Sequence, residues 1–316
     1  MNEPKMLATR DVYGQVLVEL GKSNQNIVVL DADLSCSTKT AGFAKAFPER
    51  FFNMGIAEQD MIGTAAGLAA AGKIAFASTF AVFASGRAWD QIRMSVAYTR
   101  LNVKVVVTHA GITTGEDGAS HQANEDIAIM RALPNMTVVV PADGVETEKV
   151  IKAAVEFNGP MYIRLSRPKT KVIYDNPNYD YQIGRGVVMR EGRDATIVAC
   201  GLMVGVSLSA AELLAKEGLN VRVVNMHTIK PLDVPLIIKC AAETGAIVTA
   251  EEHSIIGGLG GAVAEVLVEN ALVPMARVGL RDTFGESGQP DELLVKYGLT
   301  EKEVAAAVRV VVGRKK

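Results

Sequence analysis

Short apolar runs alternate with longer stretches of helical periodicity along most of the chain. In the first half, five runs rich in β-branched residues are interpreted as strands, at residues 26–30, 74–77, 104–108, 137–140 and 161–165. Segments in which apolar residues recur every three or four positions separate them. This alternation predicts a parallel sheet with helices on both faces.

A polar stretch at residues 175–180, with asparagine, aspartate and proline, is typical of a linker between domains. The pattern then restarts, with strands expected at 195–199, 219–225 and 246–250 and helices at 204–217, 236–244 and 260–270. We therefore predict an α/β chain of two domains. They comprise residues 1–172 and a smaller unit at 191–316, joined by a linker at 173–190.

Composition narrows the class of protein. The chain has 316 residues, 49% of them hydrophobic and 22% charged, which fits two soluble domains. A net charge of −2 without a long basic cluster disfavours nucleic-acid binding. Three scattered cysteines disfavour a disulfide framework and fit a reducing compartment. No secretory signal or membrane-length apolar run is present, so we expect a cytoplasmic protein.

Glu58 begins a segment with an unusual composition. It precedes a run of small residues at 62–71, and a helix so rich in alanine and glycine lets neighbouring backbones approach closely, as at a subunit or domain interface. A carboxyl group buried there without a partner would be costly. The simpler interpretation is a glutamate at a helix N-terminus, which the helix dipole favours.

A glycine-bearing loop at 111–122 directly follows the strand predicted at 104–108. Two of the four histidines, His109 and His121, lie within thirteen positions of each other together with Glu116 and Asp117. Ligands collect at the carboxyl ends of parallel strands, so this loop predicts a ligand site. The spacing lacks a helical pair of histidines and no cysteine is near, which disfavours a metal site.

Five segments, taken in order, resemble the transketolase family. They are Gly-Ile-Ala-Glu-Gln at 55–59, Thr-Phe-Ala-Val-Phe at 79–83, Thr-His at 108–109, Gly-Glu-Asp-Gly-Ala-Ser-His-Gln-Ala-Asn-Glu at 115–125 and Leu-Ser-Arg at 165–167. The similarity extends through residues 251–260 and so covers nearly the whole chain. It implies a pyrimidine-binding domain for thiamine diphosphate followed by a transketolase C-terminal domain.

The resemblance implies a cofactor pocket. In transketolases the glutamate at the Glu58 position contacts N1′ of the aminopyrimidine and drives the imino tautomer that deprotonates C2 of the thiazolium, which is general acid–base chemistry. Phe83 would stack on the pyrimidine and Phe80 would wall the pocket, although both could be ordinary core residues. Ile56 and Asp33 are the further residues expected there. Gly86 departs from the family, because some members have an aromatic residue at that position; Trp89 is a possible substitute.

The resemblance also implies a substrate site. Asp117 and His121 match residues that bind hydroxyl groups of the donor sugar near the reacting carbonyl, and His121 is also expected to take part in catalysis. The residues that match the holders of the sugar phosphate are Arg10, Ser37, His109 and Arg167. An arginine fork and a hydroxyl suit a phosphate dianion, although Arg10 in a surface ion pair and Ser37 as a helix cap are simpler possibilities.

A magnesium site for the diphosphate is missing from the sequence. In the family this site is Gly-Asp-Gly followed about thirty residues later by Asn, whose oxygens suit Mg²⁺. Here Glu116 replaces the first glycine. We therefore expect an N-terminal partner subunit that binds the diphosphate and Mg²⁺ in an α₂β₂ assembly. This chain would be the C-terminal half of a split transketolase, which moves a two-carbon ketol group from a ketose phosphate to an aldose phosphate.

Three alternatives remain at this point. The chain could be the beta subunit of a 2-oxoacid dehydrogenase, a 1-deoxyxylulose-5-phosphate synthase-like protein, or an inactive assembly subunit. The first is disfavoured by residues that together suit a polyhydroxylated phosphate ester, namely Arg10, His109, Asp117, His121 and Arg167. The motif at 115–125 disfavours the second, and an intact Glu58 disfavours the third. In the second domain, the glycine run at 257–261 lacks the spacing of a dinucleotide site, and His227 and His253 are expected to be structural.

Overall fold

The computed structural model describes residues 5–174, 176 and 179–315. Part of the predicted linker, at residues 175, 177 and 178, lies outside the described residues. The chain forms two α/β units of mostly parallel sheet, which confirms the predicted fold class. None of the helices in the described part of the chain has the length and apolar character needed to cross a bilayer.

The strands are short, and most are buried on both faces. They are β1 Met6–Ala8, β2 Ile27–Asp31, β3 Phe51–Asn53, β4 Ile74–Phe80, β5 Val103–Thr108, β6 Thr137–Val139, β7 Met161–Arg164, β8 Lys169–Lys171, β9 Val187–Arg190, β10 Ala195–Ala199, β11 Val221–Asn225, β12 Thr228–Lys230, β13 Ile247–Ser254 and β14 Met275–Leu280. Strands such as β2 and β5 show no alternation of polar and apolar residues because helices cover both faces of the sheet.

Helices connect the strands. They are α1 Thr9–Ser23, α2 Ser35–Thr38, α3 Ala41–Ala46, α4 Glu58–Ala70, α5 Trp89–Gln91, α6 Asp126–Arg131, α7 Gly144–Glu156, α8 Met203–Lys216, α9 Val234–Thr244, α10 Leu259–Asn270, α11 Pro290–Lys296 and α12 Glu301–Val312. Two π-helical segments, Phe83–Arg87 and Ile92–Ala97, flank α5, and 3₁₀ turns occur at Pro48–Arg50 and Ile112–Asp117.

The first unit contains a seven-stranded sheet in the order β12-β6-β7-β5-β4-β2-β3. Its strands pair in parallel except β12, which is antiparallel to β6. The second unit contains a five-stranded sheet in the order β14-β13-β10-β11-β9, in which β9 is antiparallel. Strands β1 and β8 form a separate antiparallel pair.

The two units share structure across their boundary. Strand β12 comes from the second half of the chain yet completes the edge of the first sheet. One apolar core is continuous between the units, and Val140, Cys200 and Met226 belong to it. Six strands among the described residues were not predicted, namely β1, β3, β8, β9, β12 and β14. A three-residue strand such as β12 carries too little periodicity to be recognised, and its pairing with β6 joins distant parts of the sequence.

Candidate active site

The candidate site lies at the carboxyl ends of the central strands β2, β4 and β5. These strands run in parallel next to one another, so the residues that follow them meet at one edge of the sheet. Asp31, Phe80 and Thr108 are the last residues of the three strands. The loops and helices that start there carry most of the predicted site residues.

Glu58 is the first residue of α4 and is only 1% exposed. Arg87 Nη1 donates a hydrogen bond to Glu58 Oε1 at 2.8 Å. The arginine and the helix N-terminus together offset the cost of burying a carboxylate. Glu58 Oε2 is buried and has no hydrogen-bond partner among the described residues. Since buried polar atoms are normally paired, this oxygen is free to bond a ligand.

Arg87 was not identified from the sequence. It closes the π-helical segment Phe83–Arg87, in which the amide of Ala88 donates to Phe83 O at 3.2 Å. Its guanidinium lies 5.0 Å from the centroid of the Phe83 ring, so one side chain contacts two of the predicted cofactor-binding residues, Glu58 and Phe83. π-Helical turns occur frequently at functional sites. The only sequence signal for the contact of Arg87 with Glu58 was a basic residue four positions after Phe83, the aromatic residue expected to stack on the pyrimidine.

Four rings form a cluster beside Glu58 and Arg87. Phe80 stacks on His109 with ring centroids 3.8 Å apart, and Phe83 lies 5.8 Å from Phe80. His121 meets Phe83 edge-on at 5.4 Å and Phe80 at 6.2 Å. The fold thus brings together one predicted general acid–base residue, two predicted cofactor-binding aromatics and two predicted substrate-binding histidines. A flat aromatic ligand fits such a surface.

Gly86 has free space beside its Cα atom within the described part of the chain. A Cβ atom added there would meet no atom within 4 Å, so packing within the described chain does not require glycine. Trp89 packs against the apolar core. Its predicted role as a substitute for the missing aromatic residue stays a prediction.

Arg10 joins Ser37 and His109 in a second cluster. Arg10 Nη1 donates to Ser37 O at 3.1 Å and lies 3.2 Å from His109 Nε2. This contact makes Nε2 the acceptor, so Nδ1 carries the proton and donates to Thr108 Oγ1 at 2.8 Å. Arg10 Nε is buried without a hydrogen-bond partner among the described residues. The cluster therefore keeps a spare donor, which suits an anion.

Electrostatics hold His109 in its neutral form. Burial lowers the pKa of His109 to about 3, and the positive charges of Arg10, Arg167 and Lys39, with His121, act in the same direction. Burial also lowers the pKa of Arg10. A neutral imidazole among cations offers hydrogen bonds without adding charge.

Arg167 lies next to the glycine-bearing loop. Its Nη1 donates to Thr114 O at 2.6 Å and forms a short ion pair with Glu116. Asp117, the next residue, is exposed to solvent, and His121 is half-buried with its Nδ1 2.9 Å from Ser120 Oγ. The expected hydroxyl-binding pair is therefore accessible at the rim of the site.

Asp31 shapes the loop that carries Ser37, and sequence analysis missed it. Its fully buried carboxylate accepts hydrogen bonds from Leu34 N at 2.6 Å, Thr38 Oγ1 at 2.6 Å and Thr40 Oγ1 at 2.8 Å. Burial raises the pKa of Asp31 while these three hydrogen bonds oppose the rise. An aspartate at the end of a buried strand, followed by two threonines, was the available signal.

The second unit contacts the glycine-bearing loop through Glu252, which lies near the carboxyl end of β13. Glu252 Oε1 accepts hydrogen bonds from Thr113 N at 2.7 Å and Thr113 Oγ1 at 2.8 Å. Gly111 has a φ of 78°, and a Cβ there would lie 2.4 Å from Glu252. Arg164 extends this contact by donating to Glu252 O at 3.0 Å and pairing with Asp126 at 2.9 Å. These residues also were not identified from the sequence.

Two predicted site residues lie outside the clusters. Asp33 is exposed, has a φ of 63° and accepts a hydrogen bond from Asn53 Nδ2 at 3.0 Å. Ile56 is 80% exposed. Neither forms a hydrogen bond or ring contact with the clusters within the described residues, so their predicted cofactor contacts stay predictions. Within those same residues no three histidine, cysteine, aspartate or glutamate side chains are grouped as metal ligands would be.

His227 and His253, expected to be structural, are both buried. His253 Nδ1 donates to Ser254 O at 2.7 Å, and its Nε2 accepts from the amide of Ala128 at 3.3 Å. His227 Nδ1 lies 2.8 Å from Thr228 Oγ1, and its ring packs 4.6 Å from Tyr181. These contacts fit a role in joining the two units.

Comparison with family models gives two matches. The model of the transketolase pyrimidine binding domain matches residues 5–172, and the model of the transketolase C-terminal domain matches residues 184–304. Together they cover most of the chain, in the order that the sequence motifs indicated.

Individual relatives agree with this result. The chain is 55% identical to a putative transketolase C-terminal section of Methanocaldococcus jannaschii, covering 95% of this chain and 94% of that protein. A solved structure described as a split gene transketolase, an inactive beta4 tetramer, has a TM-score of 0.92 and 57% identity; the match covers 98% of this chain and 100% of the other. Human transketolase is 41% identical over 96% of this chain but only 49% of its own length.

Proposed function

Because this chain belongs to the transketolase family, we propose that it is the C-terminal subunit of a two-chain transketolase. The assembly would transfer a two-carbon ketol group reversibly from a ketose phosphate to an aldose phosphate. The observation that carries this proposal is the carboxylate of Glu58. One of its oxygens is fixed by Arg87, and the other is buried with no partner among the described residues.

Thiamine diphosphate fits the residues present. When bound, this cofactor supplies the carbon nucleophile that breaks and forms the carbon–carbon bond of the ketose. Glu58 Oε2 would share a proton with N1′ of the aminopyrimidine, and the clustered rings of Phe83 and Phe80 would hold the pyrimidine in place. Arg87 orients Glu58 through its hydrogen bond. Ile56 and Asp33 would line the rim of the pocket.

The sugar phosphate would lie across the rest of the site. Arg10, Ser37, His109 and Arg167 would hold the phosphate, and the unpaired Arg10 Nε is a donor available to it. Asp117 and His121 would bind hydroxyl groups near the reacting carbonyl, with His121 also serving the reaction. A sugar without these hydroxyls would leave both side chains unpaired, which is the basis of discrimination.

The diphosphate and Mg²⁺ would be bound mainly by an N-terminal partner subunit. The chain matches about half of human transketolase but nearly all of the putative transketolase C-terminal section of Methanocaldococcus jannaschii, which supports a partner that supplies the other half in an α₂β₂ assembly. A relative described as an inactive beta4 tetramer supports a chain that is inactive by itself. Cys36, Cys200 and Cys240 are free thiols, which favours the reducing cytoplasm as the place where the assembly works.

The test is reconstitution with an N-terminal transketolase subunit that carries the pyrophosphate-binding domain. We expect ketol transfer from a ketose phosphate to an aldose phosphate only when both chains, thiamine diphosphate and Mg²⁺ are present. Each chain alone is the control. Full ketol transfer by this chain without the partner would overturn the two-chain proposal.

The same assembly separates the alternatives, which the family relationship does not favour. Decarboxylation of pyruvate with transfer to a lipoyl carrier, but no ketol transfer, would indicate a 2-oxoacid dehydrogenase. Condensation of pyruvate with glyceraldehyde 3-phosphate would indicate a synthase of 1-deoxyxylulose 5-phosphate. Either result would replace the proposed substrate class.

A further inference from the structure

Glu116 forms an ion pair with the guanidinium group of Arg167, one of the residues expected to bind the substrate phosphate. Its Oε2 forms a short ion pair with Arg167 Nη1, and the same nitrogen donates to Thr114 O at 2.6 Å. The hydrogen bond from Arg167 is the main cause that lowers the pKa of Glu116, so the carboxylate is ionised at neutral pH. A carboxylate therefore contacts a nitrogen that the substrate phosphate is proposed to use.

Two glycines flank the segment that carries Glu116 and Asp117. Gly115 has a φ of 81° and a ψ of −122°, which interrupts the 3₁₀ turn, and Gly118 has a φ of 73°. Glycine adopts such conformations at little cost. On the other side, Thr113 is fixed by Glu252 through two hydrogen bonds. The glycines therefore allow the backbone on either side of the acidic pair to turn at little steric cost, while Thr113 fixes the base of the loop.

The exposure of the two partners also permits exchange. The side chain of Glu116 is 49% exposed and that of Arg167 is 30% exposed, so the ion pair is open to solvent on one side. Exposed pairs of this kind contribute little to stability. Since a phosphate dianion bound near Arg10 and Arg167 would be repelled by an adjacent carboxylate, the two anions compete for Arg167.

We propose that Glu116 is a specificity-determining residue whose carboxylate competes with the substrate phosphate for Arg167. It neutralises the arginine when no substrate is bound and weakens the binding of dianions more than that of monoanions. This inference rests on the proposed function, because it concerns the same phosphate site.

The test measures anion binding to the full chain directly, without catalysis. The probes are methyl phosphate, a dianion above neutral pH, and methanesulfonate, a monoanion of similar shape, titrated calorimetrically into wild type, E116Q and E116A. We expect methyl phosphate to bind about two- to five-fold more tightly to both variants, with a smaller gain for methanesulfonate. Unchanged or weaker binding of methyl phosphate to both variants would overturn the proposal.

Two further variants make the result specific. E217Q is the matched control, since Glu217 is similarly exposed, at 45% against 49% for Glu116, and also pairs with an arginine, Arg309. The pair lies in the second unit, and E217Q should leave both affinities unchanged. R167M should lose most binding of methyl phosphate. If R167M binds as wild type does, the phosphate site itself is misassigned and the competition proposal fails with it. Loss in R167M without a gain in E116Q would overturn the role of Glu116 alone.

Discussion

Glu58 and Glu146 are both buried in the first turn of a helix, yet their carboxylates are paired very differently. Glu146 lies where the two units meet and accepts hydrogen bonds from Ala142 N, Tyr174 OH, Tyr179 OH and Asn225 Nδ2, at 2.7 to 3.0 Å. Glu58 has Arg87 on one oxygen and nothing on the other among the described residues.

The difference separates a structural carboxylate from one available to a ligand. The donors around Glu146 come from two regions far apart in sequence, so that carboxylate ties the units together. Glu58 bears a similar desolvation cost but receives less in return from its own chain. Buried groups left incompletely paired are expensive in a folded protein and are frequent at functional sites. Substituting each glutamate should therefore affect different properties.

The largest expected effect is on catalysis, from Glu58→Gln. The amide keeps the shape of the side chain but cannot share a proton with a ring nitrogen as a carboxyl group does. We expect the kcat of the two-subunit assembly to fall by about 10²–10⁴-fold, the range for loss of a general acid–base residue. Steady-state kinetics of ketol transfer would measure it.

The control for this variant is Glu148→Gln, which removes an exposed carboxylate paired with Lys152 and should leave kcat unchanged. Denaturant unfolding of Glu58→Gln should show stability equal to or above that of wild type. Full activity in Glu58→Gln would remove the catalytic assignment.

Glu146→Ala should show the opposite pattern. Removing this carboxylate leaves the hydroxyls of Tyr174 and Tyr179 and the amide of Asn225 without their shared acceptor. We expect the free energy of unfolding to fall by roughly 3 kcal/mol, since each buried group left unpaired is costly. Urea unfolding of the full chain provides the measurement. A loss below about 0.5 kcal/mol would contradict the structural role.

Glu252→Ala should give an intermediate result, because this residue belongs to the second unit but holds the glycine-bearing loop at 111–122 through Thr113. Without its carboxylate, Thr113 loses two hydrogen bonds and the loop carrying Asp117 loosens. We expect the KM for the donor sugar to rise about 10-fold, equivalent to about 1.4 kcal/mol, with a smaller change in kcat. Glu252→Gln retains an acceptor oxygen, so its KM for the donor sugar should stay close to that of wild type. A fall in kcat at unchanged KM would argue against this role in holding the loop.

The smallest expected effect is a pH dependence of stability from His109. Its pKa is about 3 when folded, against 6.5 for an unperturbed histidine, so between these values the unfolded chain takes up a proton that the folded chain does not. Stability should therefore fall as pH falls below 6.5. His109→Asn should reduce the slope of the unfolding free energy against pH between pH 5 and 6.5. The reduction corresponds to up to about one proton per chain.

Denaturant unfolding at a series of pH values measures this slope. Burial lowers the pKa of His227 as well, so His227→Asn should flatten the slope in the same direction and provides a comparison. An unchanged slope in His109→Asn would show that the folded protein accommodates the charged imidazole.

Much of the fold was predictable from local pattern. The strand predicted at 104–108 lies within Val103–Thr108, and the helix predicted at 260–270 lies within Leu259–Asn270. These elements have long apolar runs or strong periodicity, which depend only on neighbouring residues. The short strand Thr228–Lys230 was missed because its pairing, not its own sequence, makes it a strand.

The site was predictable in part. The motifs predicted candidate residues, and the structure brings Glu58, Phe80, Phe83, His109 and His121 into one region through contacts with Arg87 and with each other. The partners of these residues were not predictable. Arg87 lies 29 positions from Glu58, and Thr113 lies 139 positions from Glu252. No periodicity links positions so far apart.

The sequence by itself determined the α/β class, the order of the central elements and the family, because hydrophobic periodicity and ordered motifs are properties of nearby residues. Only the tertiary structure decided which oxygen of Glu58 is paired, that His109 is neutral, and that Glu116 lies on Arg167. Hydrogen bonding, desolvation and charge proximity depend on distances of a few ångströms between side chains. Folding sets those distances between residues that the sequence keeps far apart.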